Sequence, residues 1–300
     1  MKKYFGIAAI ILGVLSAGTL GSLFAETAGP VQAGVAAAVK GDVKATTPPD
    51  KAPHALKSGD KVFMGDKIET GVDGQLQVLL MDETVFTLGP SSAITVDEFI
   101  FDPKNDDGKV KASMVKGIFR VVSGKVAHKK PENMSVDLPA GAIGFRGTNV
   151  AGIIDGQKTT VVLLGPVGVG RIFVTNIVNG EVVAVDVNEA GFATIVDGPN
   201  SAPVPVFQVS EADLNRIAGA LGQQMSRGDT STTGDISNMA GQDTGKTVDT
   251  QQLLNILNDV DAMNQTTMTA AQDKAQEVAE NAKNNAVDSG SGGHSLTKGP

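Results

Sequence analysis

Between Val31 and Phe207, short runs rich in Val, Ile, Leu and Phe alternate with dense turn formers. The runs are Gln75–Met81, Thr84–Leu88, Ala93–Phe101, Lys116–Val122, Thr159–Leu164, Gly170–Thr175 and Glu181–Val187. In Gln75-Leu76-Gln77-Val78 and Ile94-Thr95-Val96-Asp97 the polar and apolar residues alternate. That period of two puts one face of a strand inside and the other outside. Gly59-Asp60, Gly65-Asp66, Asp73-Gly74, Gly89-Pro90, Asp107-Gly108, Gly165-Pro166 and Asn179-Gly180 supply turns. Glycine reaches positive φ, and aspartate accepts hydrogen bonds from nearby backbone N–H groups. Strands and turns at this spacing predict an all-β domain over 31–207, a double-sheet sandwich or β-roll. A stretch of roughly 175 residues can bury a core without disulfides.

After Phe207 the character changes. Nine Phe lie between Phe63 and Phe207, and the 93 residues that follow have none. Only 14 of those 93 are Leu, Ile, Val or Phe, a share associated with disorder. Ser210-Glu211-Ala212-Asp213 forms a capping box and Val209 with Leu214 a hydrophobic staple. They predict a short amphipathic helix over 208–228, with Leu214, Ile217, Ala218, Leu221 and Met225 on one stripe. A linker over 229–248 follows, then a long polar helix over 249–287 whose seam runs from Leu253 to Met263 and fades into alanine. That seam could mediate self-association. Residues 288–300, rich in Gly and Ser, read as a disordered tail. The expected fold class is therefore an all-β domain followed by a largely α-helical, partly disordered C-terminal region.

The N-terminus reads as an export signal over 1–25. Lys2 and Lys3 precede an uncharged stretch whose most apolar part is Phe5–Leu15, and Ala25 offers a small residue for cleavage before Glu26. An uncleaved anchor is the alternative. Cleavage takes the net charge from −8 to −10 and removes Tyr4, leaving Phe as the only aromatic residue. The absence of Cys excludes a disulfide framework, a thiolate nucleophile and a Cys-based zinc site. The acidic balance argues against nucleic acid as a partner.

Four separated segments then carry a family resemblance. Residues 56–99, LKSGDKVFMGDKIETGVDGQLQVLLMDETVFTLGPSSAITVDEF, resemble the FecR domain of bacterial envelope proteins, as do KGIFRVVSG at 116–124, VDLPAGAIGFRGTNV at 136–150 and TTVVLLG ending near 165. One departure is Glu83, where the family usually has Gly. The resemblance implies a place in the envelope of a Gram-negative bacterium. FecR-like regulators relay signals from an outer-membrane receptor to a sigma factor through a cytoplasmic helical segment and a membrane span. Only Met1, Lys2 and Lys3 precede the apolar run here, so the expectation is an exported form without the anti-sigma role. The resemblance also implies one chemical possibility. Some relatives cut themselves at a Gly-Thr bond, which corresponds here to Gly147-Thr148. The Thr148 hydroxyl would attack the Gly147 carbonyl to give an ester that water opens. No base is evident beside that bond in the sequence, and His128 is the only His in the second half of the domain. The default reading of the Arg146-Gly147-Thr148 stretch is structural, with Arg146 donating to carbonyls.

Within this acidic chain Lys104, Lys109, Lys111, Lys116, Arg120, Lys125, His128, Lys129 and Lys130 form a basic cluster. Of these, Lys116, Arg120, Lys125, Lys129 and Lys130, with Arg146, are binding candidates for an anionic polysaccharide or headgroup. The alternative is a solvated strand and loop face. AGQDTGKT at 240–247 matches a relaxed phosphate loop without a preceding buried strand, so nucleotide binding is not expected. GPVGVG at 165–170 has the wrong glycine spacing for a dinucleotide loop. His54, His128 and His294 are scattered, and Asp60, Asp66 and Asp73 read as turn caps rather than calcium ligands. No cofactor, metal or enzymatic constellation is expected. The expected role is non-enzymatic: binding, assembly or signal reception in the periplasm or at the cell surface. The partner would be an envelope protein or a polysaccharide.

Overall fold

The computed structural model describes residues 29–49, 52–165 and 170–221. The first strands are β1 (Gln32–Lys40), β2 (Val43–Thr46), β3 (His54–Ala55), β4 (Lys61–Phe63), β5 (Lys67–Thr70) and β6 (Gln75–Leu80). β7 (Val85–Leu88), β8 (Ala93–Asp102) and β9 (Asp107–Val122) follow, then helix α1 (Lys125–Lys129) and a 3-10 turn, Pro131–Asn133. The rest are β10 (Met134–Asp137), β11 (Ala142–Arg146), β12 (Asn149–Asp155), β13 (Lys158–Gly165), β14 (Arg171–Val178), β15 (Glu181–Val187), β16 (Phe192–Val196) and β17 (Phe207–Gln208). Helix α2 (Glu211–Leu221) closes the described chain.

The turns form for the reasons their residues suggest. In 57–60 and again in 63–66 an Asp carboxylate accepts the N–H three residues earlier: Lys57 N–H to Asp60 Oδ2 at 2.7 Å, Phe63 N–H to Asp66 Oδ2 at 2.8 Å. Each turn is closed the other way by the Asp N–H on the carbonyl of Lys57 or Phe63. These carboxylates are turn caps, as expected.

The strands make one 17-stranded sheet. One tract runs β4–β1–β6–β7–β9–β12–β13–β16–β17. The other runs β3–β2–β5–β8–β9–β10–β11–β14–β15. The 16-residue β9 belongs to both. Its part up to Lys116 pairs with β8, and from Gly117 onward it pairs with β12 and β7. Gly117 sits at the change with φ +92°, and a Cβ there would lie 2.5 Å from Ser92 Cα. Only glycine fits that bend.

Two parts of the expected fold class are corrected. The strands are not two separate stacked sheets, because β9 joins both tracts into a single sheet. That sheet is mixed, since β10 runs parallel to β9. A largely helical C-terminal region is not supported either: among the described residues the only α-helices are α1 and α2, of 5 and 11 residues. The expected signal at 1–25, the linker 229–248, the long helix 249–287, the tail 288–300 and the 240–247 motif lie outside the described residues. Among the described residues no helix is long and apolar enough to cross a membrane.

One core takes side chains from both tracts, with Phe86, Phe119 and Phe145 fully buried. Each such side chain contributes about 2–3 kcal/mol on burial. A second cluster lies where α2 packs Leu214, Ile217 and Leu221 against Ile118, Ala151 and Val162. The start of α2 is built as the capping box suggests: Asp213 N–H donates to Ser210 Oγ at 3.2 Å, and the Ser210 hydroxyl donates to Asp213 Oδ2 at 2.7 Å. The staple residues Val209 and Leu214 share this cluster.

Candidate functional site

The Gly147-Thr148 bond lies at a buried junction where the β6–β7 turn, the end of β9, α1 and the start of β12 meet. Asp82 opens the turn and is fully buried. Its Oδ2 accepts the Thr84 hydroxyl at 2.8 Å and its Oδ1 the Thr84 N–H at 3.1 Å. The Thr84 hydroxyl oxygen in turn accepts the Gly124 N–H at 3.1 Å, and the Asp82 carbonyl accepts the Lys125 N–H at 2.7 Å. Gly124 passes so close that a Cβ on it would lie 2.3 Å from the Asp82 carbonyl oxygen and 2.4 Å from Thr84 N. Burial pushes the Asp82 carboxyl up from the usual 3.8, against the opposing pull of hydrogen bonds from Thr84 and the Val126 N–H. Glu83 keeps the turn geometry that glycine would supply, at φ +69°, and its carboxylate meets Lys125 Nζ at 2.7 Å.

Ser123 ties this turn to β12. Its N–H donates to the Thr148 carbonyl at 3.0 Å, and the Thr148 N–H donates back to Ser123 Oγ at 2.8 Å. Thr148 is 3% exposed, and its hydroxyl donates to the Gly165 carbonyl at 2.7 Å. Gly147 has φ +56°. A Cβ on it would lie 3.5 Å from His128 Cδ2 and 3.6 Å from Nε2. The other ring nitrogen, Nδ1, is 2.7 Å from the Gly124 carbonyl. Helix α1 thus sets the His128 ring beside Gly147. Ser123, His128 and Gly165 belong to this junction through long-range packing, with no local signal in the sequence.

Of the basic cluster, Lys125 and His128 reach this junction, and the other members whose contacts are described lie elsewhere. Lys109 meets Glu98 at 2.8 Å, Lys111 meets Asp137 at 2.9 Å and Lys116 lies 4.0 Å from Glu69. Lys129 and Lys130 share Asp107 at 3.3 and 2.8 Å, and Lys129 Nζ also donates to the Asn105 carbonyl. Those two lysines hold the Asp107 carboxyl below its usual value, and Asp107 raises Lys130. Asp137 likewise raises Lys111, and Glu83 raises Lys125. Arg120 is 6% exposed and donates from Nε to Asn149 Oδ1 at 2.8 Å, so it belongs to the interior. Arg146 is exposed at the end of β11, opposite Arg171 of β14.

Residues 66–167 match the family model described as FecR protein. Two crystal structures of a candidate anti-sigma factor from Parabacteroides distasonis, at 1.65 and 2.50 Å resolution, are similar at 14% and 12% identity with TM-scores of 0.37 and 0.35. Each likeness covers 50% of this chain and 62% of the other. A likeness this loose establishes neither fold nor function for this chain. No curated protein matches the chain. The junction around Asp82, Ser123 and Thr148 falls inside this FecR-matching segment.

Proposed function

We propose that this chain is a non-enzymatic, exported FecR-domain protein. It acts by binding, as a signal-reception or assembly module in the periplasm or at the cell surface. The observation that carries this reading is the FecR match over 66–167. The hydroxyls and carboxylate of the buried junction support it, since they are committed to hydrogen bonds that join the β6–β7 turn, the end of β9, the start of β12 and β13. The favoured partner is an envelope protein. An anionic polysaccharide is less supported, because the lysines that would meet it are matched by carboxylates. The test is cell fractionation with intact-mass measurement. The expected result is a chain beginning at Glu26 in the periplasmic or extracellular fraction. A cytoplasmic chain that keeps residues 1–25 overturns the reading.

A second reading is favoured by one observation, His128 beside Gly147. In it the Thr148 hydroxyl oxygen attacks the Gly147 carbonyl carbon and the peptide C–N bond breaks. The resulting ester, with Thr148 N as a free amine, is hydrolysed by water. The hydroxyl must first leave the Gly165 carbonyl. Two fragments divided at 147/148 on a denaturing gel, restored to one band by Thr148→Ala, support self-cleavage. One intact band in both proteins rejects it.

A further inference from the structure

The outer edges of the sheet are unequal. β4 and β17 bound the first tract with three and two residues, and β3 bounds one side of the second with two. The remaining edge, β15, has seven, and among the described residues it pairs with β14 alone. An edge strand's outward N–H and C=O groups are a template for another strand, and proteins ordinarily blunt them with short length, lysine, proline or a bulge. β15 is Glu-Val-Val-Ala-Val-Asp-Val, and its register with β14 is unbroken from Ile172↔Val187 to Val178↔Glu181. Val182 is 71% exposed, and its cross-strand neighbour Ile177 is 61% exposed. Asp186 is drawn toward Arg171 Nε at 3.3 Å.

We propose that β15 is a self-association edge on which two copies of this chain pair antiparallel, about a two-fold axis at Ala184. Self-complementarity points to a second copy as the occupant. In that register Ala184 faces its own copy, Val183 faces the partner's Val185, and Val182 faces the partner's Asp186. Glu181 faces the partner's Val187. No acid opposes an acid, as cross-strand pairing requires of like charges. Sliding the pair by one residue turns the inner faces to opposite sides, and in one direction it also brings Glu181 opposite the partner's Asp186. The axial register meets both conditions and pairs all seven residues of β15, and a two-fold interface of this kind closes on itself.

The lack of cysteine makes the test clean. In the full chain, Ala184→Cys puts two sulfurs on the axis, with Cα atoms about 4.5–5.5 Å apart. That separation suits a disulfide. Two copies of Val182→Cys stand about 13 Å apart along the strands, beyond disulfide reach. The expected result is a covalent dimer on a non-reducing gel with Ala184→Cys and little with Val182→Cys. In sedimentation velocity, Ala184→Lys sets two like charges against each other and weakens the dimer about fivefold. Val182→Lys lands opposite the partner's Asp186 and leaves it as strong or stronger. Three results overturn the proposal: a chain that stays monomeric with neither cysteine linking, equal weakening by both lysines, or a dimer unaffected by Ala184→Lys. The last would place self-association elsewhere, as in 249–287.

Discussion

The short segment from Ser123 to Lys130 serves two sets of polar groups that differ in their surroundings. At its start, Ser123 and Gly124 enter a buried junction with Asp82, Thr84 and Thr148. At its end, Lys129 and Lys130 grip Asp107 on the surface. Distances in the two sets are alike, between 2.7 and 3.3 Å. Solvent makes the difference. A buried donor or acceptor that loses its partner bears the full desolvation cost, whereas an exposed ion is taken up again by water. The buried set therefore holds the fold, and the exposed set is free to rearrange.

Gly124→Ala is the hardest blow to the buried set. The new Cβ would meet backbone atoms of Asp82 and Thr84, which cannot rotate away as a flexible side chain can. A loss of about 3 kcal/mol is expected in urea denaturation. Ser123→Ala comes next. It strands the Thr148 N–H without changing the backbone, for a loss of about 2 kcal/mol. Equal, negligible effects of the two substitutions would erase the distinction between the buried and exposed sets.

Legibility in the sequence follows the same division between local and long-range causes. The Asn179-Gly180 turn was legible because both residues accept positive φ, and they do so at 51° and 86° between β14 and β15. β6 and β7 were legible from their apolar runs. β1 was not marked by such a run, because Gln-Ala-Gly-Val-Ala-Ala-Ala-Val-Lys is rich in alanine and poor in residues that favour strands. The first half of β9 was hidden by its charge. Lys109 and Lys111 drew attention as a basic cluster, while Val110, Ala112 and Met114 alternate with their neighbours and point inward. Within the candidate site, Gly147-Thr148 was legible through a family resemblance. Ser123's part in it and the contact of His128 with Gly147 were not, because α1 and the end of β9 bring them there across about twenty intervening residues, which leaves no trace in local spacing.

Asp82 gives the junction a pH signature. Its folded-state carboxyl is raised above 3.8, so the folded protein binds that proton more tightly than the unfolded chain. Its contribution to stability is therefore greatest at low pH, and it declines as pH rises from 3.8 through the folded value. Asp82→Asn should flatten that part of the stability curve when urea midpoints are compared between about pH 4 and 7. An unchanged slope would mean that the carboxyl is not held up by burial. Glu83→Gly acts on the backbone of the same turn. It relieves a left-handed residue at φ +69° and gives up an exposed ion pair with Lys125, for a net gain of about 0.5 kcal/mol.

The smallest effect belongs to the exposed set. Asp107 is held below 3.8 by Lys130 and Lys129, so what it contributes is present above 3.8 and is lost as pH falls through its lower folded value. That is the opposite sign to Asp82. Replacing both Lys129 and Lys130 with Ala should leave the urea midpoint at neutral pH unchanged within error. Its trace should be confined to acid, where Asp107 returns toward 3.8 and protonates earlier. Added salt should abolish even that difference, since exposed charges are screened over about 10 Å at 0.1 M. A midpoint loss at neutral pH as large as that of Ser123→Ala would show that these lysines are part of the folded framework, and the contrast between the two ends of the segment would fail.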